Sequence, residues 1–117
     1  SEEQARLASD VTGVLTALDR YRSAFQARDI AQLLRIYPSL KTGEVEQLRK
    51  TFDGMKAYDI EIRDPRVEVQ NDVASARAMV VRRMTPRVGT APPFQVETEF
   101  DLQRTPAGWV ITDLVAR

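Results

Sequence analysis

Apolar residues at Leu7, Val11, Val14, Leu15, Leu18, Tyr21 and Phe25 recur at steps of three and four, which draws one stripe along a helix from Glu3 to Arg28. Gly13 sits inside that helix at a cost of about 1 kcal/mol relative to alanine, so fraying or a kink is expected there. Asp29 follows as an N-cap with Gln32 in capping-box position and opens a second helix, Ile30 to Ile36. Pro38 closes it, because the residue before a proline is pushed out of the α region. A third helix is expected from a cap at Thr42, with Glu44 and Glu46 near the positive end of its dipole. Val45, Leu48 and Phe52 form its inner face, and Gly54 ends it.

Beyond Gly54 the period falls from 3.6 to 2. Tyr58, Ile60 and Ile62 alternate with charged residues, and after Asp64-Pro65 the apolar phase moves to Val67 and Val69. A bulge or bend on an edge strand accounts for both the slip and the proline. Asn71-Asp72 reads as a turn, and Val73 to Thr85 as a second strand whose small Ala74, Ala76 and Ala78 let another element approach closely. Residues 86 to 93, with three of the six prolines, form a loop. Phe94, Val96, Thr98, Phe100 and Leu102 alternate with Gln95, Glu97, Glu99, Asp101 and Gln103, the pattern of a half-buried strand. Thr105 to Gly108 turns the chain into a last strand, Trp109 to Val115. Three helices followed by an antiparallel meander of about four strands predict an α+β domain with the helices laid across one face of the sheet.

Composition narrows what such a domain can do. Its 117 residues suit one core, read as a single domain over 1–117, and 43% apolar with 29% charged residues is ordinary for a globular chain. Seventeen basic residues balance seventeen acidic ones, and neither half departs from that balance, so no nucleic-acid or membrane-surface partner is indicated. Cysteine and histidine are both absent. That excludes disulfides, thiol nucleophiles, Ser-His-Asp triads and zinc sites built on those ligands. No apolar run approaches the roughly 20 residues of a bilayer span, so the piece reads as soluble. A start without methionine, so close to the first helix, is expected of a mature product or of a domain cut from a longer chain, cytoplasmic or periplasmic.

The string from Ala17 to Asp29 carries Tyr21 and Phe25, and is followed by Leu33-Leu34-Arg35-Ile36-Tyr37-Pro38. It resembles the opening of the nuclear transport factor 2-like superfamily, the cone-shaped α+β fold that includes SnoaL-like cyclases and steroid isomerases and is also called cystatin-like. Phe100-Asp101-Leu102, a short turn and Gly108-Trp109-Val110-Ile111 resemble that superfamily's last hairpin. The departures bear on function. Enzymes of the superfamily often draw an acid/base Asp or His from a hairpin after the second helix, whereas this chain runs from Pro38 straight to Thr42. Thr98 stands where steroid isomerases hold a protonated Asp on the third strand, so only Tyr21 of that constellation is kept. The short form resembles accessory domains at the C-termini of bacterial signalling proteins, including serine/threonine kinases.

The resemblance and the residues imply a small apolar pocket between helices and sheet, suited to a small apolar ligand and lined by Tyr21, Phe25, Tyr37, Phe52, Tyr58, Thr98 and Phe100. The bulky rings come from separate elements and cannot all meet without leaving space. Asp113 shares its phase with Trp109 and Ile111 and so is a candidate inner-face carboxylate, with Tyr21 its only companion for proton transfer. Arg82 shares a phase with Val80 and Met84, where it either meets an anionic ligand or snorkels past a sheet edge. Nothing resembles a phosphate-binding glycine loop or a calcium cage, and no cofactor is implied. The expected function is a non-catalytic small-ligand-binding or assembly module of a larger bacterial protein, with an isomerase or cyclase using Asp113 and Tyr21 as the alternative. Val110 and Leu114 on the outer phase of the last strand, with the two-sided Val80-Val81 pair, predict an apolar outer face covered by a second copy in a homodimer.

Overall fold

Ser1 starts the first helix by a reciprocal cap: its hydroxyl accepts from the Gln4 N–H, and its amine donates to the Gln4 side chain. The computed structural model describes residues 1–117. Helix α1 (Glu2–Ala27) is continuous through Gly13 and ends at Arg28, which turns left-handed (φ 52°). The Arg28 side chain crosses to donate to the Met55 carbonyl oxygen at 2.6 Å. Asp29 caps α2 (Ile30–Ile36), its carboxylate accepting from the Gln32 N–H at 3.1 Å. In α3 (Thr42–Asp53) the N-cap is Lys41 rather than Thr42, and no side chain caps that end.

Four strands follow, β1 (Met55–Gln70), β2 (Val73–Pro86), β3 (Phe94–Thr105) and β4 (Gly108–Ala116), in one antiparallel sheet of order β1-β2-β3-β4. Sequential neighbours need only short turns, which is why the meander is the economical path. The slip at Asp64-Pro65 is a bulge on an edge strand: Arg63 pairs with Met79 and Arg66 with Arg77, and Asp64 takes φ 48°. The helices cover one face of the sheet. Between them lies a single core in which Val14, Leu18, Leu33, Val80, Phe100 and Ile111 are among the most enclosed side chains.

The stripe on α1 needs correction at its start. The first nine residues are exposed, Leu7 and Leu15 keep 50% and 39% of their surface, and it is Asp10 that is buried, at 8%. A buried carboxylate must be paired, and Arg104 of β3 meets it with both Nη atoms at 2.7 and 2.8 Å. Arg104 also donates to the Asp72 carboxylate and the Asn71 carbonyl in the β1–β2 turn, and lies 4.6 Å from the ring centre of Trp109. Arg104 therefore ties α1, the β1–β2 turn and the β3–β4 hairpin together. Trp109 in turn lies against Gly13, which explains that glycine: a Cβ there would come within 2.6 Å of the indole Cδ1.

A second correction lies in β4. Leu102 pairs with Ile111 but Asp101 pairs with Asp113, so Thr112 is an extra residue and the faces invert beyond it. Leu114 is turned inward beside Phe100 and packs against the core, while Asp113 is exposed opposite Asp101. The apolar outer patch loses Leu114 and Val80, which pack in the core, but keeps Val110 and Val81 and gains Val115, which pairs with Glu99 on the outer phase. Beside these the outer face carries charge, with Arg83 near Asp59 and Glu61, and Arg77 and Arg117 both on Glu99. No helix is long and apolar enough to cross a membrane.

Gly13→Ala sets helix propensity, worth up to about 1 kcal/mol in favour of alanine, against overpacking of the Trp109 indole, which costs about 1–3 kcal/mol. Because Trp109 is held between Gly13 and the Arg104 guanidinium, the expected outcome is net destabilisation in urea unfolding. In a Trp109→Leu background the same change is expected to become neutral or stabilising. An unchanged or raised midpoint for Gly13→Ala alone would show that the indole moves freely.

Candidate functional site

Residues four apart on a helix share a face, so Tyr21 and Phe25 of α1 both project over the concave side of the sheet. Their ring centres are 4.8 Å apart. Phe100 closes on Tyr21 edge-on at 5.5 Å, Phe52 of α3 meets Phe25 edge-on at 5.5 Å, and Tyr58 of β1 sits 5.2 Å from Phe25. Edge-to-face and tilted contacts of this kind suit the ring quadrupoles. They also leave the wide end of the cone unfilled. An open cavity of about 650 Å³ lies there, bounded by α1, the segment from Leu33 to Leu48, and residues of all four strands.

At the floor of this cavity stands Arg82. Its strand, β2, is internal to the sheet, so the side chain has no edge to snorkel past and instead lies under the helices. The guanidinium carbon is 5.1 Å from the Phe25 ring centre and 6.0 Å from that of Tyr21. One Nη donates to Tyr58 Oη at 3.1 Å and the other to Tyr21 Oη at 3.0 Å. No carboxylate pairs with it: the ion pairs of the chain involve Arg22, Arg49, Arg63, Arg77, Arg83, Arg104 and Arg117. Desolvating a cation costs several kcal/mol on general grounds, which here only neutral hydroxyls and ring faces offset.

The tyrosines respond to the same surroundings. Burial pushes the Tyr21 hydroxyl above its ordinary value, with the neighbouring Arg82 charge pulling part of the way back. Tyr37 is also raised, by burial first and then by the negative charges of Asp113 and Glu44. Burial works against the Arg82 charge, but the two tyrosines outweigh it and the group stays a firm cation.

Of the expected pocket residues, Tyr21, Phe25, Tyr37 and Tyr58 line the cavity. Phe52, Thr98 and Phe100 do not. Phe52 is spent on the Phe25 and Tyr58 rings, Phe100 is fully enclosed behind Tyr21, and the Thr98 hydroxyl donates to the Val96 carbonyl at 3.0 Å. Asp113 reaches the cavity only at its exposed rim, because the Thr112 bulge moves it off the inner phase, and its Oδ1 accepts from the Leu114 N–H at 3.0 Å. Leu33, Leu40, Leu48, Phe94 and Leu114 supply apolar wall, and Lys41 and Glu44 stand at the mouth. The alternation that places Arg82 between Val80 and Met84 was the one signal in the sequence for the cation at the floor. The cavity is therefore open and polar at its base rather than small and apolar throughout. A second cavity, of about 260 Å³, lies between α1 and α2 and is lined by Arg20, Ser23, Gln32, Arg35 and Ile36.

No family model matches the chain. Among solved structures it is similar to a nuclear transport factor 2-like superfamily protein from Salmonella enterica serovar Typhimurium (TM-score 0.82, 12% identity, 95% of this chain and 92% of that one). It is also similar to a protein from Novosphingobium aromaticivorans provisionally named an aromatic ring hydroxylase (TM-score 0.81, 20% identity, 94% of each chain). These likenesses establish the nuclear transport factor 2-like fold. Among curated proteins, a UDP-N-acetylmuramate–L-alanine ligase of Roseiflexus castenholzii is 35% identical over 69 residues, 59% of this chain. The matched stretch is 13% of that ligase's length.

A raised Tyr21 pKa means that the neutral hydroxyl favours the fold below the ordinary tyrosine value of 10.0. That contribution is lost as pH rises through the higher folded value. Tyr21→Phe is expected to flatten the loss of stability above about pH 10 and to remove one late-ionising phenol from an ultraviolet titration. An alkaline limb unchanged by the substitution would contradict the burial of this hydroxyl.

Proposed function

We propose that this chain is a non-catalytic small-ligand-binding module whose ligand occupies the cavity between α1–α3 and the concave sheet. The observation that carries the reading is the chemistry of the cavity floor: one guanidinium and two tyrosine hydroxyls, groups that hold and orient, with no imidazole or enclosed carboxylate to take up a proton. The volume is in the range of drug-sized ligands, and aromatic and aliphatic walls with a few convergent polar groups are the usual make-up of such sites.

A second reading has one observation in its favour, since Tyr21 and Asp113 both border the cavity. On that reading the protein is a small isomerase or cyclase with Asp113 as base and Tyr21 as hydrogen-bond donor. Exchange of protons α to a ketone, lost in both Tyr21→Phe and Asp113→Asn, would support it. Against it stand the exposure of Asp113 and its bond to the Leu114 N–H.

A homodimer through the outer face of the sheet belongs to the same proposal, supported by Val81, Val110 and Val115 on that face, while the charges around them are paired within the chain. Its mass by light scattering is expected to be that of a dimer and to fall to that of a monomer in Val110→Glu. A monomeric wild-type chain removes it.

For the cavity itself, proton–nitrogen correlation spectra of the whole chain titrated with small aromatic and aliphatic compounds are expected to show shifts clustered on Leu33, Tyr37, Tyr58 and Leu114. Leu48→Trp, which fills the mouth, is expected to weaken those binders by about ten-fold or more, the loss of a buried contact worth about 1.4 kcal/mol. Shifts scattered over the surface, or binding indifferent to Leu48→Trp, would sink the reading.

A further inference from the structure

The hydrogen-bond ledger of the cavity floor is one-sided. A guanidinium carries five N–H groups and no acceptor, and Arg82 gives one N–H from each Nη to a tyrosine oxygen. The other three have no acceptor within the protein. Tyr21 Oη and Tyr58 Oη each accept from Arg82, and neither hydroxyl donates its own proton to any protein group. Donors thus converge from β1, β2 and α1 on one point, with a full positive charge among them and no acid to neutralise it.

The contrast with Arg104 shows that this is not how the chain treats a guanidinium it needs only for structure. Arg104 is matched by two carboxylates and a backbone carbonyl. Arg82, half-buried at the cavity floor, has none.

The geometry points to a ligand with a single carboxylate, seated on Arg82 and the Tyr21 and Tyr58 hydroxyls, and an apolar or aromatic body lying against Phe25, Tyr37 and Leu33. A carboxylate supplies acceptors alone, in a plane that matches the guanidinium fork. One charge suits the site, because at the exposed mouth Glu44 and Asp113 together outweigh Lys41 and repel a second negative group. The rings that flank Arg82 on the α1 side set the body of the ligand beside aromatic edges rather than water. This rests on the binding reading given above and adds the class of ligand to it.

The test compares each acid with its neutral isostere on the whole chain: 2-naphthoate against 2-naphthamide, and octanoate against octanamide, at neutral pH by titration calorimetry and NMR. At least one carboxylate is expected to bind wild-type protein about ten-fold or more tightly than its amide, the increment of a charge-assisted hydrogen bond. Arg82→Met is expected to abolish the preference for acid over amide, weakening the acid far more than the amide, and Arg82→Lys to keep part of the preference. The Nε–H resonance of Arg82 in wild-type protein is expected to shift with the acid and not with the amide, so the answer does not depend on the variant folding. Acid and amide binding equally well, or a preference that survives Arg82→Met, overturns the carboxylate site and leaves a neutral-ligand cavity. If none of the four moves a cavity resonance, the binding reading itself falls with it.

Discussion

Asp10 and Arg104 are 94 residues apart in the chain, and their bidentate pair sets where the long helix lies on the sheet. Once α1 is fixed at that end, the α-helical repeat decides which side chains reach the concave face: Val14, Leu18, Tyr21 and Phe25 follow at steps of three and four. Rotating α1 about its axis would unpair a buried carboxylate and at the same time move Val14, Leu18, Tyr21 and Phe25 off the core. The pair therefore acts as a register pin, and the aromatic arrangement at the far end of the cone inherits its accuracy. Trp109 adds shape to the same joint, since its indole fits only against a residue without a side chain.

At the other end, the same residue type meets opposite surroundings. Arg104 sits among acids and is stabilised as a cation by Asp10 and Asp72. Arg82 has only dipoles and ring faces around it. On β2 the enclosed part of that face is lined by the small, buried Ala74, Ala76 and Ala78, and Arg82 follows further along the same strand where the cavity opens. Core packing at the narrow end and vacancy at the wide end are one design read along a single strand.

Much of this was legible in the chain's periodicity. The second helix, the turn at Asn71-Asp72, the bulge at Asp64-Pro65 and the alternation of β3 are all local patterns, written in residues that neighbour one another. The features that escaped are relations between distant segments. Gly13 looks like a weak point until Trp109 is known to press on it, and Asp10 looks like a solvent-facing residue until Arg104 arrives. The Thr112 bulge has no turn residue to announce it, because it is defined by the pairing of β4 with β3. Reading β4 with an unbroken period of two put Asp113 inside and Leu114 outside, and with them a candidate base and an apolar patch. Arg82 was visible as an oddity among apolar neighbours, but its lack of an acid partner depends on every element that surrounds it.

The bulge also means that a leucine and a carboxylate compete for one place. Without the extra residue the end of β4 would keep its ladder and present Asp113 to the cavity in place of Leu114. The two arrangements differ by one unpaired residue on one side and, on the other, by the burial of a leucine, worth about 1.5–3 kcal/mol, and the desolvation of an acid. Gain or loss of one residue at this point is enough to exchange a leucine wall for a carboxylate facing the cavity, because a one-residue slip moves every following side chain to the other face. In this chain Ser39 Oγ donates to the Thr112 carbonyl at 3.0 Å and Thr112 Oγ1 to the Asp101 carbonyl at 3.2 Å, so the α2–α3 connection and β3 both hold the bulge in the form with the acid turned away.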